Sequence, residues 1–199
     1  MSRLLKDGYS IIDGYRLQQD PQCPEYFERY LDIIKPERIL ELGTANGGLT
    51  KILRNNTEVP ILTVEKEEIH IDSRTYSIAD VYVANFFDVE FISTILLPFI
   101  SRPVRTLVLC DAFNKIHQYR KFVRFIKTDD VIAVHDYFPS RKYFEENIKG
   151  KKWNWCDITD EDMEEVNKEF DMVDIGEELN EIFWATKLKK GSQKLVTLV

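Results

Sequence analysis

The chain has 199 residues, of which 44% are hydrophobic and 31% are charged, and its formal net charge is −7. This length suits one α/β domain with an ordinary core, and we predict a single domain over residues 1–199. The negative charge argues against broad nucleic-acid binding, which depends on basic side chains, and favours a small or neutral substrate. Because the sequence has no membrane-spanning apolar run and no apolar signal-peptide core, we expect a cytoplasmic protein.

Residues 1–22 are polar and aromatic, contain two glycines and end in Gln-Gln-Asp-Pro, which predicts an irregular N-terminal arm. A helix is predicted over about Pro24 to Ile34, because apolar residues recur there at helical spacing and then meet Lys35-Pro36. We expect this helix to pack against a sheet through its apolar stripe.

The chain next predicts a buried strand over 38–42, which breaks into a glycine turn and opens a helix over about 48–55. Gly43 and Gly47 let the backbone turn sharply and approach a ligand closely. The helix N-terminus that follows has free N–H groups, which suit a polar or anionic ligand. Glu41 adds a carboxylate, which favours a positively charged ligand group over a phosphate.

Three nucleotide-type motifs compete for this loop. A phosphate-binding NTPase loop requires a lysine where Leu49 stands, and a dinucleotide fingerprint requires a glycine where Ala45 stands. The spacing acid-x-Gly-x-x-x-Gly, formed by Glu41, Gly43 and Gly47, resembles motif I of class I S-adenosylmethionine-dependent methyltransferases. A strand-to-helix turn without a ligand is the remaining alternative.

A second buried strand is predicted over 60–65 and ends in Glu65, which lies 22 residues after Gly43. In dinucleotide-type sheets an acid near this offset accepts hydrogen bonds from ribose hydroxyls. The alternative is a solvated strand end, because Glu65 is followed directly by Lys66-Glu67-Glu68.

A third strand is predicted over 81–85, and a helix over about 89–97 follows it. If a cofactor crosses the carboxyl ends of the strands, its adenine lies beside Asn85 and Phe86-Phe87. The two aromatic residues then form either an adenine wall or part of the core, since phenylalanine is often buried.

Two further buried strands, over 106–111 and 131–136, end in Asp111 and in His135-Asp136. The helix between them has an apolar stripe that runs from position 116 to position 126. In an open α/β sheet the carboxyl ends of parallel strands form one crevice, where ligands bind. Four strands deliver an acid to that crevice: Glu41, Glu65, Asp111 and Asp136. This recurrence predicts a polar binding site there.

Residues 138–157 are mixed basic and aromatic without a clean period, and we interpret them as a long excursion that can close over a substrate. Thr159, followed by Asp162, then predicts a helix that begins with a variant capping box. Two final strands are predicted over 170–175 and 182–187.

The order of these elements resembles the class I methyltransferase fold over residues 24–190. The resemblance implies a Rossmann-like, mostly parallel sheet of seven strands with helices on both faces and the last strand antiparallel. More narrowly, Gln19-x-Pro21, the motif from Glu41 to Gly48, Asp111 and His135-Asp136 are similar to the cephalosporin hydroxylase and sugar O-methyltransferase group. The runs 109–116 and 133–137 also resemble small phage-encoded members of this class.

The resemblance implies S-adenosylmethionine as the cofactor and catalytic roles for Asp111, His135 and Lys115. In metal-dependent relatives the positions of Asp111, His135 and Asp136 bind a divalent cation, so these three residues are the predicted metal ligands. His135 replaces the usual carboxylate, and Asn114 stands where relatives often have a histidine or lysine, so a base role for His135 or Lys115 is the alternative. The implied cofactor site consists of Glu41, Gly43, Thr44, Gly47, Glu65, Asn85, Phe86 and Asp111.

The activity implied is in-line transfer of a sulfonium methyl group to an oxygen atom of a small molecule or a sugar. Two alternatives stay open, a catalytically silent S-adenosylmethionine-binding protein and a dinucleotide-dependent oxidoreductase. We expect neither nucleic acid nor a membrane as a partner. The oligomeric state, including a homo-oligomer, is left open by the sequence.

Overall fold

The computed structural model describes residues 10–191, and a seven-stranded sheet forms its centre. Five adjacent strands of the sheet are parallel, whereas the last strand in the chain is antiparallel to both of its neighbours. This topology confirms the predicted fold class, including the antiparallel last strand. From one edge to the other the strands are β10 (Met172–Asp174), β11 (Trp184–Lys189), β7 (Val131–His135), β6 (Thr106–Cys110), β3 (Arg38–Leu42), β4 (Ile61–Glu65) and β5 (Asp80–Val83).

Helices cover both faces of this sheet, and each face has its own buried cluster of apolar side chains. Phe27 and Trp184 belong to one cluster, whereas Tyr119 and Phe122 belong to the other. Within residues 10–191, no helix combines the length and apolar character needed to cross a bilayer. The helices are α1 (Cys23–Ile34), α2 (Gly48–Asn56), α3 (Val89–Phe91), a π-helical turn (Ile92–Leu96), α4 (Leu97–Ile100), α5 (Lys115–Phe122), α6 (Arg141–Asn147) and α7 (Asp160–Phe170), with 3-10 turns at Glu68–His70, Ser73–Ser77 and Glu177–Ile182.

The predicted irregular arm is wrong over its second half, because β1 (Ser10–Ile12) and β2 (Tyr15–Leu17) form an antiparallel hairpin. Residues 1–9 of the arm lie outside the described residues. The hairpin turn is Asp13-Gly14, and both residues have positive φ angles, +49° and +89°. A two-residue turn of this kind favours Asp-Gly, so the turn residues account for the hairpin.

The excursion over 138–157 contains more regular structure than its mixed composition indicates. It holds α6, whose first turn is capped by the Ser140 hydroxyl, which accepts the N–H of Tyr143 at 3.1 Å. Short strands β8 (Tyr137–Phe138) and β9 (Ile158–Thr159) pair in parallel at its two ends. Beyond it, Thr159 and Asp162 form the predicted capping box of α7.

The glycines of the first strand-to-helix loop are required by contacts within the protein. Gly43 has φ +106°, and a Cβ atom at this position would lie 2.6 Å from the backbone oxygen of Asp111. A Cβ at Gly47 would clash with the Thr75 hydroxyl, and one at Gly48 with the backbone oxygen of Arg16. Gly43 therefore lets the ends of β3 and β6 approach each other closely, whereas Gly47 and Gly48 make room for Thr75 and for the backbone of Arg16.

Gly43→Ala should lower the free energy of unfolding by about 2–5 kcal/mol, because about 1–2 kcal/mol of backbone strain adds to about 1–3 kcal/mol of overpacking. Gly150→Ala is the matched control, since Gly150 also has a positive φ but a Cβ atom there would meet no other atom within 4 Å. Urea denaturation of both variants measures the difference. Equal losses of stability would show that the Asp111 backbone yields to the added methyl group.

Candidate active site

A cavity of about 610 Å³ opens at the carboxyl ends of β4, β5 and β6. Its volume is that of a typical small-molecule site. Three of the predicted cofactor residues, Glu65, Asn85 and Phe86, contribute to its lining, and Phe87 and His117 complete one wall. These side chains meet because parallel strands deliver their carboxyl ends to one edge of the sheet.

Glu65 connects this cavity to the glycine loop. Its Oε2 accepts the N–H of Ala45 at 2.9 Å, and its Oε1 accepts the N–H of Lys66 at 2.8 Å. Ala45 has φ +44°, so the carboxylate supports a left-handed backbone position as well as facing the cavity. Glu65 is half-buried, and both of its carboxylate oxygens accept backbone N–H groups.

The aromatic residues after β5 pack with the core and also line the cavity. Phe86 is buried within one core cluster and also contributes to the cavity wall. Its ring lies 4.8 Å from that of Phe87, which in turn meets the His117 ring edge-to-face at 4.5 Å. The cavity therefore has a packed aromatic wall, a surface suited to a planar ring.

The cofactor candidates of the glycine loop do not line this cavity. Glu41, Gly43, Thr44 and Gly47 are absent from the described residues that line it. The hydroxyls of Thr44 and Thr63 are hydrogen-bonded to each other at 2.6 Å in the interior. Their roles in cofactor binding stay predictions, since only Glu65, Asn85 and Phe86 of the predicted set line this cavity.

Glu41 is fully buried, and its Oε2 accepts the Thr50 hydroxyl at 2.5 Å. Burial raises the pKa of Glu41 to about 8, against the opposing effect of hydrogen bonds from Thr50 and Thr63. The carboxyl group is therefore mostly protonated at neutral pH. A protonated acid presents no negative charge to a sulfonium group, so the electrostatic argument drawn from Glu41 does not hold in this arrangement.

The structure brings Asp111, His135 and Asp136 together at the adjacent ends of β6 and β7. His135 Nδ1 lies 2.8 Å from Asp111 Oδ1 and 3.7 Å from Asp136 Oδ1. The side chains of Asp111 and His135 are only 5% and 4% exposed. The amide of Gln19 donates a hydrogen bond to the other oxygen of Asp111. We call the hydrogen-bonded pair of Asp111 and His135 the dyad.

The environment of His135 favours its charged form. Burial by itself lowers the pKa of His135, but the nearby carboxylates of Asp111 and Asp136 outweigh burial and raise it. The contact with Asp111 assigns the proton of the neutral ring to Nδ1 and leaves Nε2 as the acceptor. Nε2 is buried without a hydrogen-bond partner among residues 10–191. The ring packs against Trp184 and Trp153, with centroid distances of 4.8 and 5.6 Å.

Lys115 lies beside this group as a cation. Its Nζ is 2.6 Å from Asp136 Oδ2 and 3.3 Å from Asp157 Oδ2. Burial opposes the charge, but Asp111 and Asp136 outweigh it and raise the pKa of Lys115. Asp136 also accepts the indole N–H of Trp153 at 2.6 Å. An ammonium group held in this way is a poor proton acceptor, which argues against the predicted base role of Lys115.

The predicted metal ligands do not form a metal centre in this arrangement. Across residues 10–191, no group of three or more His, Cys, Asp or Glu side chains has a geometry that could hold a metal ion. The physical reason lies in their partners: Asp136 is neutralised by Lys115, and Asp111 is occupied by His135 Nδ1 and Gln19. A divalent ion does not fit these donors unless Lys115 moves away.

Sequence reasoning missed three residues that contact the cluster of Asp111, Asp136 and Lys115. Trp153 and Asp157 come from the excursion, whose composition gave no indication of which side chains turn inward. Gln19 was noted only as part of a motif, and the signal that could have identified it is an amide residue directly before Asp-Pro in an arm that ends near the sheet.

No family model and no curated protein matches this chain. Solved structures with the same fold include an apo structure of CmcI, at TM-score 0.62 and 13% identity over 91% of this chain and 76% of that one. A CmcI structure described as Mg-SAM has TM-score 0.53 and 16% identity over 68% of this chain, and the match spans 60% of that chain. An SAH-bound methyltransferase of Podospora anserina has TM-score 0.57 and 15% identity over 86% and 80% of the two chains.

These similarities establish the fold. The chain has the Rossmann-like fold of the class I methyltransferases, with the seven strands in the order described above.

Glu41→Gln should stabilise the protein in a pH-dependent way. Because folding raises the pKa of Glu41 from 4.5 to about 8, the wild type loses stability as pH rises through this window. The neutral amide has no such loss, so its advantage over Glu41 should grow by about 3 kcal/mol between pH 4 and pH 7. Urea denaturation at both pH values measures it, and Glu68→Gln, at an exposed acid, is the control. An advantage of Gln that does not change with pH would contradict a protonated Glu41.

Proposed function

We propose that this protein is an S-adenosylmethionine-dependent methyltransferase that acts on an oxygen atom of a small molecule or a sugar. The observation that carries the proposal is the position of the buried dyad next to a cavity of cofactor size, since Asp111 of the dyad and Ala112 of the cavity lining directly follow β6. Structures with this fold are described as Mg-SAM for CmcI, as SAH-bound for the Podospora anserina protein and as in complex with SAM for TomG from Streptomyces achromogenes.

The cofactor is held by the cavity in this proposal. Glu65 accepts hydrogen bonds from the ribose hydroxyls with lone pairs that its two backbone contacts leave free. Phe86 and Phe87 contact the adenine ring, and the Asn85 side chain is oriented by the N–H of Phe87, which it accepts at 3.0 Å. Glu65 and Glu67 supply the negative charge near the site, since Glu41 is protonated.

The bound cofactor supplies an electrophilic methyl group. His135 Nε2 would accept the proton of the acceptor hydroxyl whose oxygen takes up this methyl group. Asp111 keeps the ring oriented through the Nδ1–H hydrogen bond and stabilises the imidazolium that forms. A base of this kind suits an oxygen nucleophile, because a hydroxyl is a weak nucleophile until its proton is removed.

Access to Nε2 requires a movement. Because Nε2 is buried beside Trp153, an acceptor reaches it only when a neighbouring element shifts. We assign this movement to residues 148–157, which join α6 to β9 and include Trp155, a side chain with 57% exposure. The same burial favours the second candidate function, a cofactor-binding protein without turnover. Binding without transfer to any acceptor would identify that case.

Cofactor binding is tested by calorimetry with S-adenosylmethionine and S-adenosylhomocysteine. Glu65→Gln should weaken binding by about 1–3 kcal/mol, because it removes a charged hydrogen-bond acceptor from the ribose. Glu68→Gln, at an exposed acid close in sequence, should leave affinity unchanged. Circular dichroism checks that both variants fold. Heat with NAD, together with no heat from either methionine derivative, would overturn the proposal in favour of an oxidoreductase.

Methyl transfer should depend on pH through His135. Because its pKa is raised above 6.5, kcat should increase with pH through a midpoint above that value, as the ring becomes neutral. His135→Gln should lower kcat by about 10²–10⁴-fold and remove this limb of the profile. Product S-adenosylhomocysteine, measured with a panel of phenols, catechols and monosaccharides, reports the rate.

The same assay tests the predicted metal. A chelator should leave kcat unchanged, since Lys115 neutralises Asp136 where an ion would bind. Loss of activity on chelation, with recovery on addition of Mg²⁺, would show that Lys115 moves and that Asp111, His135 and Asp136 bind a metal after all.

A further inference from the structure

Gln19 contacts the dyad from a distant part of the chain. Its Nε2 donates a hydrogen bond to Asp111 Oδ2, across 92 residues of sequence, and the residue is 8% exposed. The other oxygen of Asp111 is paired with His135 Nδ1. Each oxygen of this carboxylate therefore has its own donor, one neutral amide and one imidazole.

The backbone on both sides of Gln19 is anchored. Leu17 is fully buried in the core cluster that contains Phe27 and Trp184. On the other side, Asp20 accepts the N–H of Gln22 at 2.8 Å through its side chain and the N–H of Cys23 at 2.9 Å through its backbone oxygen. The side chain of Gln19 is thus presented to Asp111 by a preformed turn, and little backbone entropy is lost when the hydrogen bond forms.

The residue type matters as much as the position. Lys115, whose Nζ lies 2.6 Å from Asp136 Oδ2, is a second cation in this region, and the negative charge of Asp111 also helps to keep it charged. An amide at position 19 fixes one oxygen without neutralising it, whereas a lysine or arginine there would cancel the charge that orients the imidazole. Without a donor at Oδ2, Asp111 can rotate toward Lys115.

We propose that Gln19 is a positioning residue, which fixes the rotamer of Asp111 so that Oδ1 faces His135 Nδ1. The N-terminal arm therefore belongs to the active site, although it contributes no strand to the seven-stranded sheet. Only the kinetic part of the test rests on the proposed function, because the hydrogen bond between Asp111 and His135 exists with or without turnover.

The experiment compares Gln19→Leu with Gln22→Leu in the full-length protein. Gln22 is the control, because it precedes α1 by one residue and its side chain makes no capping hydrogen bond. Nitrogen-15 NMR of the histidine rings reports the tautomer and the exchange rate of the ring N–H proton. The chain has three histidines, and the His135 signal is the one that disappears in His135→Gln. Circular dichroism confirms folding.

In spectra recorded at a pH where the ring is neutral, wild type and Gln22→Leu should show His135 with its proton on Nδ1 and in slow exchange. In Gln19→Leu we expect at least tenfold faster exchange of that proton, a mixture of tautomers, and a kcat lowered at least tenfold with KM for S-adenosylmethionine within twofold. Gln19→Asn, which keeps the amide on a shorter side chain, should fall between the two.

A folded Gln19→Leu variant with the wild-type tautomer and exchange rate would overturn the proposal. If neither the wild type nor any variant binds S-adenosylmethionine, the proposed function fails, but the NMR comparison still decides the role of Gln19. Equal loss of kcat in Gln19→Leu and Gln22→Leu would also contradict a specific positioning role.

Discussion

Carboxyl groups withdrawn from water at the carboxyl ends of the central strands are the constraint on which the rest of this structure depends. An ionised carboxylate cannot stay in the interior without a compensating partner. The burial of each of the four acids is compensated in a different way. Glu41 is protonated, and Glu65 accepts two backbone N–H groups. Asp111 is hydrogen-bonded to Gln19 and His135, whereas Asp136 is paired with Lys115 and Trp153. The partners come from the arm, the glycine loop, α5 and the excursion, so the acids tie these segments to the sheet.

The crevice has two halves, which differ in the groups that compensate its buried carboxylates. On the side of β4 and β5, the partners of Glu65 are backbone groups, which leave the carboxylate charged and partly open to the cavity. On the side of β7, the partners are side chains that enclose Asp111 and Asp136 almost completely. The first arrangement suits binding of a hydroxyl-rich ligand, and the second suits control of a proton, because a buried pair holds its geometry. β6, which ends directly before Asp111, lies in the sheet between β7 and the strands β4 and β5.

The sheet could be predicted from sequence because its strands are apolar runs that end in acids, and neither feature depends on tertiary detail. The turn residues Asp13-Gly14 also favour the hairpin that the structure shows, but the polar composition of the residues around them indicated an irregular arm. Residue partners were not predictable in the same way. Glu41 has the position of a motif acid, yet its side chain turns toward Thr50 and loses its charge, because side-chain direction depends on packing.

The balance of charge around His135 gives the physical basis for its role. The group of Asp111, Asp136, Asp157 and Lys115 carries three negative charges and one positive charge while the imidazole is neutral. Accepting a proton from a hydroxyl lowers the magnitude of this net charge from two to one, so the surroundings favour the imidazolium. A divalent ion would also neutralise the group, but it would have to displace the ammonium of Lys115 from Asp136 and remove the Nδ1 proton that Asp111 holds. The arrangement therefore favours protonation of His135 over binding of a metal ion as the way in which the negative charge of this site is reduced.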